Sequence, residues 1–374
     1  MSLHPTTPLR IVVVCPSWVG DAVMATPALG LIRRSLPGAT IGALCKPSVA
    51  PILDGLDVYD ELITMHPGGV MGHKHSASKL RLRGYDTALL LTNSFSTALI
   101  ARMAGAPRRM GYDRDARHLL LTHRLMAPKT DEGKWAIVPA VDYYWHAAEA
   151  LIALTTGERV DELRPADESG AHRLPAGTYM QLVSTPKDRQ EADGVLSEAG
   201  VLDHPYAVLN PGGNNAAKRW PAERFAALAD HLERAHGLRV LISGSPGEAD
   251  LAASIAASAE TDPIALPGIG MTLGSLKSII ERSELLVTND TGPRHIAAAF
   301  GVPMVTMFGP TDHRWTTIPT RPAGPETVLV ADPELPLTES ANDHPEQCRV
   351  DRIGLDSVVR SVDRLLQAAR SGAG

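Results

Sequence analysis

An acidic side chain just after a short apolar run is the residue in this chain best suited to move a proton. Ile11–Val14 reads as a buried strand, and Cys15-Pro16-Ser17-Trp18-Val19-Gly20-Asp21 follows it. Asp21 therefore stands at the carboxyl end of a strand, where open α/β sheets bind ligands. A carboxylate there can act as general base on an attacking hydroxyl. Gly-Asp also suits a helix start, and a capping Asp can still accept a proton. No G-x-G-x-x-G follows the strand, and Leu44-Cys45-Lys46 stands where a dinucleotide-binding fold carries an acid. A dehydrogenase is disfavoured.

Two further segments offer the complementary chemistry, a grip on phosphate. Leu285–Val287 leads into Thr288-Asn289-Asp290-Thr291-Gly292-Pro293-Arg294-His295. Pro293 suits a first helical turn. Free N–H groups at such a helix start favour an anion, and His295 can add a bond. The plain alternative is an ordinary capped helix with a surface or satisfied histidine. Earlier in the chain, Asn210-Pro211-Gly212-Gly213-Asn214-Asn215 reads as a glycine turn after a strand, followed by Lys218-Arg219-Trp220-Pro221. Gly213 lets a ligand approach the backbone, and Lys218 brings a point charge for a diphosphate. For Lys218 the competing reading is a solvated surface lysine, and for Trp220 packing outweighs stacking.

Positioning these residues requires strands alternating with helices. Strands are expected near 10–15, 40–45, 61–65, 87–91 and 108–111, then near 206–209, 239–243, 285–289 and 304–308. Helices are expected over 22–36, 94–104 and 138–155, then over 222–236, 248–259, 273–282 and 293–300. Alternation of this kind builds parallel sheets covered on both faces. Residues 71–75 read as a mobile loop. A final helix over 355–369 carries one continuous apolar face through Leu355, Val358, Val359, Val362, Leu365 and Leu366.

Bulk properties fit two α/β domains. The chain has 374 residues, 44% of them hydrophobic and 4% aromatic, which gives aliphatic material for two cores. Its three cysteines form no CxxC pair, so a reduced cytoplasmic setting is the default. No apolar run approaches the roughly 20 residues that span a bilayer. The net charge of −6 conceals a basic stretch. Between His66 and Leu125, Lys74, Lys79, Arg81, Arg83, Arg102, Arg108, Arg109, Arg114, Arg117 and Arg124 face only Asp86, Asp113 and Asp115. That excess suggests an anionic partner for the first half. Nucleic acid is disfavoured, because the aromatic interleaving of base-stacking surfaces is absent.

Taken together, P-S-W-V-G-D at 16–21, Asn93-Ser94-Phe95, K-R-W-P at 218–221, N-D-T-G-P-R-H-I-A-A-A at 289–299 and F-G-P-T at 308–311 resemble the ADP-heptose–lipopolysaccharide heptosyltransferases. The W-V-G-D and N-S-F pieces point most towards the heptosyltransferase II branch. The resemblance implies a GT-B architecture: two Rossmann-like domains with parallel sheets facing a central cleft, and a C-terminal helix crossing back to the first domain. The expected division is an acceptor-binding domain over 1–180, a nucleotide-sugar-binding domain over 181–350, and the crossing helix over 351–374. It implies Asp21 as catalytic base, and Lys218, Thr291, Gly292 and His295 at the donor phosphates. Asp290, Glu248 and Met271 fall where the family contacts the nucleotide sugar, Glu248 at ribose and Met271 at adenine. Ser17, Trp18 and Asn93 line the acceptor side by analogy. Arg294 replaces a residue often apolar in relatives, and either adds charge near the donor or faces solvent.

The implied reaction is an inverting displacement of ADP from ADP-L-glycero-D-manno-heptose by a sugar hydroxyl of the lipopolysaccharide inner core. Lys218 and the helix start would stabilise the departing diphosphate, so no cofactor and no essential metal are expected. Asp113-Arg114-Asp115 is formally a DxD, the metal motif of other glycosyltransferases, but reads as a surface loop. Lys79, Arg81 and Arg83 are the expected docking charges for an acidic acceptor at the inner membrane surface, the protein being cytoplasmic or peripheral. Three alternatives stay open: ADP-heptose transfer to a protein or another glycan, a nucleotide-sugar epimerase of the same shape, and a non-catalytic nucleotide-sugar-binding protein.

Overall fold

The computed structural model describes residues 9–167, 169–213 and 215–371; Asn214 of the glycine loop lies outside them. The chain forms two compact units. One comprises residues up to Val183 together with Arg314–Ile318, the other Ser184–His313 and the chain from Pro319 onward.

The first unit runs β1 (Arg10–Val14), α1 (Val19–Met24), α2 (Thr26–Ser35), β2 (Thr40–Cys45), α3 (Ala50–Leu53) and β3 (Glu61–Thr64). It continues through α4 (Gly69–Arg83), β4 (Thr87–Leu90), α5 (Phe95–Met103), β5 (Arg108–Tyr112), β6 (His123–Leu125) and α6 (Ala140–Thr156). The strands order as β3-β2-β1-β4-β5-β6, with every neighbouring pair parallel. Continuous aliphatic runs form the central strands because both faces are covered: β1 and β2 are buried in all but their first residue, and β4 throughout.

Two local differences from expectation have clear causes. The helix expected over 22–36 is two helices, broken at Ala25. Pro27 lies in the first turn of α2 and cannot donate to a carbonyl of a preceding turn, while the Thr26 hydroxyl donates to Val23 O at 2.8 Å. Residues 71–75, expected as a mobile loop, belong to helix α4. Gly68 and Gly69 take left-handed backbone (φ 98° and 50°) to turn the chain into it. Gly72 packs so closely that a Cβ there would meet Pro67 O at 2.5 Å. With Val70, Met71 and Leu82 all exposed, α4 carries no apolar stripe for a sequence reading to find.

The second unit repeats the plan. It runs α7 (Pro186–Glu198), β7 (Tyr206–Asn210), α8 (Ala222–His236), β8 (Arg239–Ile242), α9 (Ala249–Ser258) and β9 (Ile264–Ala265). Then follow α10 (Leu273–Glu281), β10 (Leu285–Asn289), α11 (Gly292–Phe300), β11 (Met304–Phe308), β12 (Glu326–Val330) and α12 (Leu355–Ser371). The order β12-β11-β10-β7-β8-β9 is again all parallel. Both sheets thus reverse their winding once, between β1 and β4 and between β7 and β10. Among the described residues no helix is long and apolar enough to cross a membrane.

The final helix corrects an expectation. Its apolar face was expected to pack back on the first domain. Instead Val358, Val362, Leu365 and Leu366 are buried in the second unit's core with Phe225, Leu228, Val240 and Val305. The chain segment that joins the first unit from beyond Val183 is Arg314–Ile318.

Arg294 turns inward rather than to solvent. Its Nε lies 2.6 Å from Glu326 Oε1 and its Nη2 3.0 Å from Oε2, with Cζ 4.8 Å from the Phe308 ring centroid. Thr306 Oγ1 donates to the same Oε1 at 2.6 Å. Burial pushes the Glu326 carboxyl up, but the Arg294 charge and these hydrogen bonds outweigh it and hold the group below its ordinary value. Removing one partner would strand a buried charge, which costs about 3–5 kcal/mol. Arg294→Ala should therefore lower the urea-derived stability by about that amount, and Arg294→Leu combined with Glu326→Leu should recover much of it. A loss below about 1 kcal/mol in the single variant would contradict this account.

Candidate active site

Each sheet's reversal point carries one half of the candidate chemistry. Neighbouring crossovers leave such a point in opposite directions, so a crevice opens at the carboxyl ends of the strands.

In the first unit that crevice lies after β1 and β4. Trp18, not Asp21, is the N-cap residue of α1, and it makes no side-chain capping bond. Asp21 sits within the first turn, half-buried, and its Oδ1 accepts a 2.8 Å hydrogen bond from the Tyr144 hydroxyl. Tyr144 comes from α6. Burial, with the neighbouring Asp21 carboxylate adding to it, pushes the phenol well above its ordinary pKa, so it stays a donor. Asn93 follows β4. Its Oδ1 accepts from Tyr143 Oη at 3.0 Å and Arg117 Nη2 at 3.1 Å. Two donors on the oxygen fix the amide orientation and leave Nδ2 to donate.

Asp21, Asn93, Tyr143 and Tyr144 line one pocket of about 240 Å³ with Arg114, Trp135, Trp315 and Thr316. The stretch Asp113-Arg114-Asp115 was expected at the surface, and Asp113 and Arg114 are half-exposed and Asp115 exposed, whereas Arg117 just beyond it turns inward. Arg117 is fully buried, donating to Tyr112 O at 3.0 Å and to Thr92 O. Arg114 stands over the Trp135 ring with Cζ 4.2 Å from its centroid. Asp115 and Ala116 both hold left-handed backbone (φ 55° and 56°), a strained turn that brings Arg117 inward.

The other expected acceptor-side residues lie differently. Ser17 is half-buried and Trp18 is 70% exposed. Lys79, Arg81 and Arg83 are not among the residues lining the Asp21 pocket. Lys79 Nζ donates to Thr64 O at 3.3 Å, Arg81 donates to Met103 O, and Arg83 Nε donates to Glu61 Oε2 at 2.6 Å.

In the second unit the crevice lies after β7 and β10. A buried polar network shapes it. Asn289 Nδ2 donates to Pro211 O at 2.9 Å and Gly212 O at 3.0 Å. Asn210 Nδ2 donates to Thr291 Oγ1 at 2.8 Å, and its Oδ1 accepts from Ser243 Oγ at 3.0 Å. Thr291 is the N-cap of α11 but makes no side-chain capping bond, so first-turn N–H groups, Gly292's included, lack intrahelical partners. Lys218 Nζ lies 3.5 Å from Asp290 Oδ2.

Glu248 braces the glycine loop, accepting from Gly213 N at 2.9 Å and Ser245 N at 2.8 Å. Burial pushes its carboxyl up, but the Ser245 and Gly213 hydrogen bonds outweigh this and hold it below the ordinary range. A Cβ on Gly212 would lie 2.6 Å from Glu248 Oε1, so a side chain there would displace the Glu248 carboxylate from its place on the loop. Met271 sits half-exposed just before α10. Trp220 is a packing residue, edge-on to Phe225 and donating to Ile353 O at 2.8 Å.

His295 is buried, and its Nδ1 has no hydrogen-bond partner. Burial, with the Arg294 charge adding to it, drives its pKa well below 6.5, so the ring is neutral and brings no charge to this crevice.

The chain matches glycosyltransferase family 9 (heptosyltransferase) over residues 74–346. It belongs to that family. Lipopolysaccharide heptosyltransferase 2 of Salmonella typhimurium is 28% identical to it over 317 residues, covering 82% of this chain and 85% of the relative. Lipooligosaccharide heptosyltransferase 2 of Campylobacter jejuni is 32% identical over 320 residues, covering 83% of each. The solved structure of Escherichia coli ADP-heptose lps heptosyltransferase II shares the fold, with a TM-score of 0.76 at 24% identity over 97% of this chain and 100% of that one. The two reversal points thus belong to a family 9 glycosyltransferase.

Tyr144, Tyr143 and Ser243 were not singled out from sequence, and Arg117 and Asn210 were read only as members of the basic stretch and the glycine turn. The run Tyr143-Tyr144-Trp145 was a visible signal, because aromatic residues make up only 4% of the chain.

Two predictions follow from this geometry. A hydrogen bond to a charged group contributes about 1.5–3 kcal/mol, so Tyr144→Phe should lower kcat of this glycosyltransferase by roughly 10–100-fold. Unchanged kcat would remove Tyr144 from the site. For His295, the folded-state pKa is depressed, so only the unfolded chain readily binds the extra proton. Its contribution to stability is complete above 6.5 and declines as pH falls below that value. His295→Gln should flatten the loss of denaturant-measured stability between about pH 7.5 and about pH 5.5. An identical pH slope in the variant would refute that.

Proposed function

We propose that this family 9 enzyme transfers heptose from ADP-L-glycero-D-manno-heptose to the lipopolysaccharide inner core, in the manner of a heptosyltransferase II, with inversion. Asp21 is the general base. A core hydroxyl loses its proton to the Asp21 carboxylate while its oxygen attacks the anomeric carbon. The bond from that carbon to the diphosphate oxygen breaks, and ADP departs with the electron pair. The transition state has oxocarbenium character, as in glycoside hydrolysis.

The single observation that carries this reading is the Asp21 carboxylate held by Tyr144 in a polar pocket at the first reversal point. General bases work where a side chain is fixed within reach of the proton it removes. Asn93 and Arg114 in the same pocket suit a hydroxyl-rich, anionic acceptor. The second unit supplies the donor side. Lys218 and the first turn of α11 stabilise charge developing on the diphosphate, which gives the chemistry no need of a metal. Glu248 takes the ribose, Met271 the adenine, and Gly213 and Asp290 contact the nucleotide sugar. The names of the relatives support the donor and acceptor classes. The enzyme then works on the cytoplasmic side of the inner membrane, at its surface.

Asp21→Asn keeps an oxygen able to accept from Tyr144, so the fold and ADP affinity should be preserved. Transfer of heptose to a core acceptor should fall by about 10²–10⁴-fold, the usual worth of a general base. Isothermal titration with ADP and a radiolabelled-heptose transfer assay measure the two quantities. A variant that keeps its rate would exclude Asp21 as base. Full activity on a protein or another glycan, with none on core oligosaccharide, would exclude the acceptor.

A further inference from the structure

Away from the crevices, three metal-ligating side chains converge where α8 meets α12. His231 Nε2 and His236 Nε2 each lie 2.7 Å from the same Asp363 oxygen, Oδ1. One ligand atom from each residue falls within 4.8 Å of the other two. The two rings stand nearly perpendicular, at 72° with centroids 5.5 Å apart, so neither blocks the other's approach to that point. His236 ends α8, and Gly237 turns the chain away with left-handed backbone (φ 69°), which fixes the ring at the helix end. Asp363 projects from α12 one residue after Val362, which is anchored in the core.

We infer that His231, His236 and Asp363 form a binding site for a divalent transition-metal ion of the zinc type. Two imidazoles and one carboxylate are the donors that such ions take, with bonds of about 2.0–2.2 Å. At those lengths a tetrahedral ion holds its ligands roughly 3.3 Å apart. The present 2.7 Å separations would open by roughly 0.6 Å, a small movement for side chains that are 27%, 11% and 44% exposed. Solvent reaches the open side of the cluster and completes the coordination. His236 Nδ1 is buried without a partner. The site therefore lacks one outer acceptor of the kind that tightens zinc-bound histidines, a deficit of about 10–100-fold in affinity. The ion would clip the last helix to α8, and its role is structural. The inference is independent of the reading of Asp21 and the donor crevice.

The test uses the full chain without an affinity tag, stripped by chelator and dialysed, then titrated with zinc chloride in a calorimeter. One zinc per chain is expected, together with a higher unfolding temperature and slower amide exchange across 355–371. His231→Gln and Asp363→Asn should each weaken binding at least about tenfold. Asp363→Asn keeps an acceptor oxygen for both imidazoles, and an unchanged melting curve without zinc will show that it folds. No saturable binding, or equal affinity in both variants and the parent, would overturn the site.

Discussion

Everything in this molecule follows from parallel strands that must be covered on both faces. A parallel pair needs a crossover, and crossovers of one hand cover one face until the strand order reverses. Each sheet here reverses once, and there the carboxyl ends of two adjacent strands lie open beneath diverging loops. The backbone groups and polar side chains at those ends cannot be left unpaired in a water-poor crevice. The chain meets that demand with side chains drawn from several elements around each crevice.

The two crevices meet it in opposite electrostatic senses. In the first, phenols and a buried guanidinium hold a carboxylate and an amide: Tyr144 on Asp21, Tyr143 and Arg117 on Asn93. In the second, Asn289 and Glu248 hold the glycine loop at Pro211 and Gly213, and Asn210 holds the Thr291 hydroxyl beside the start of α11. One centre presents a hydrogen-bonded carboxylate and the other the N–H groups of a helix start; the proposed glycosyl transfer uses both, because its nucleophile sheds a proton as the leaving group gains charge.

Several cations of the basic stretch also have partners within the fold. Arg83 is held by Glu61, Arg108 by Asp86, and Arg117 is buried against main-chain carbonyls. Arg294, in the first turn of α11, serves the core through Glu326. Of the basic stretch, Arg114 is the cation that lines the Asp21 pocket. Long side chains with several donors satisfy distant carbonyls, and sequence gives no hint of which carbonyls lie within reach.

What the sequence by itself determined was local. Aliphatic runs such as Ile11–Val14 and Leu285–Val287 are strands because β-branched and branched side chains fill a sheet covered on both faces. The positions of Asp21, Gly213 and Thr291 after β1, β7 and β10 followed from turn chemistry, and the motif order was enough to indicate the family. Helix α4 was illegible because its glycines and exposed apolar residues break the helical stripe. Only the tertiary structure decided which side chain holds Asp21, since Tyr144 lies 123 residues away. The same is true of Arg117 turning inward and of α12 burying its face in the second unit. Periodicity tells that a face is buried; the partner that buries it is set by packing between segments remote in sequence.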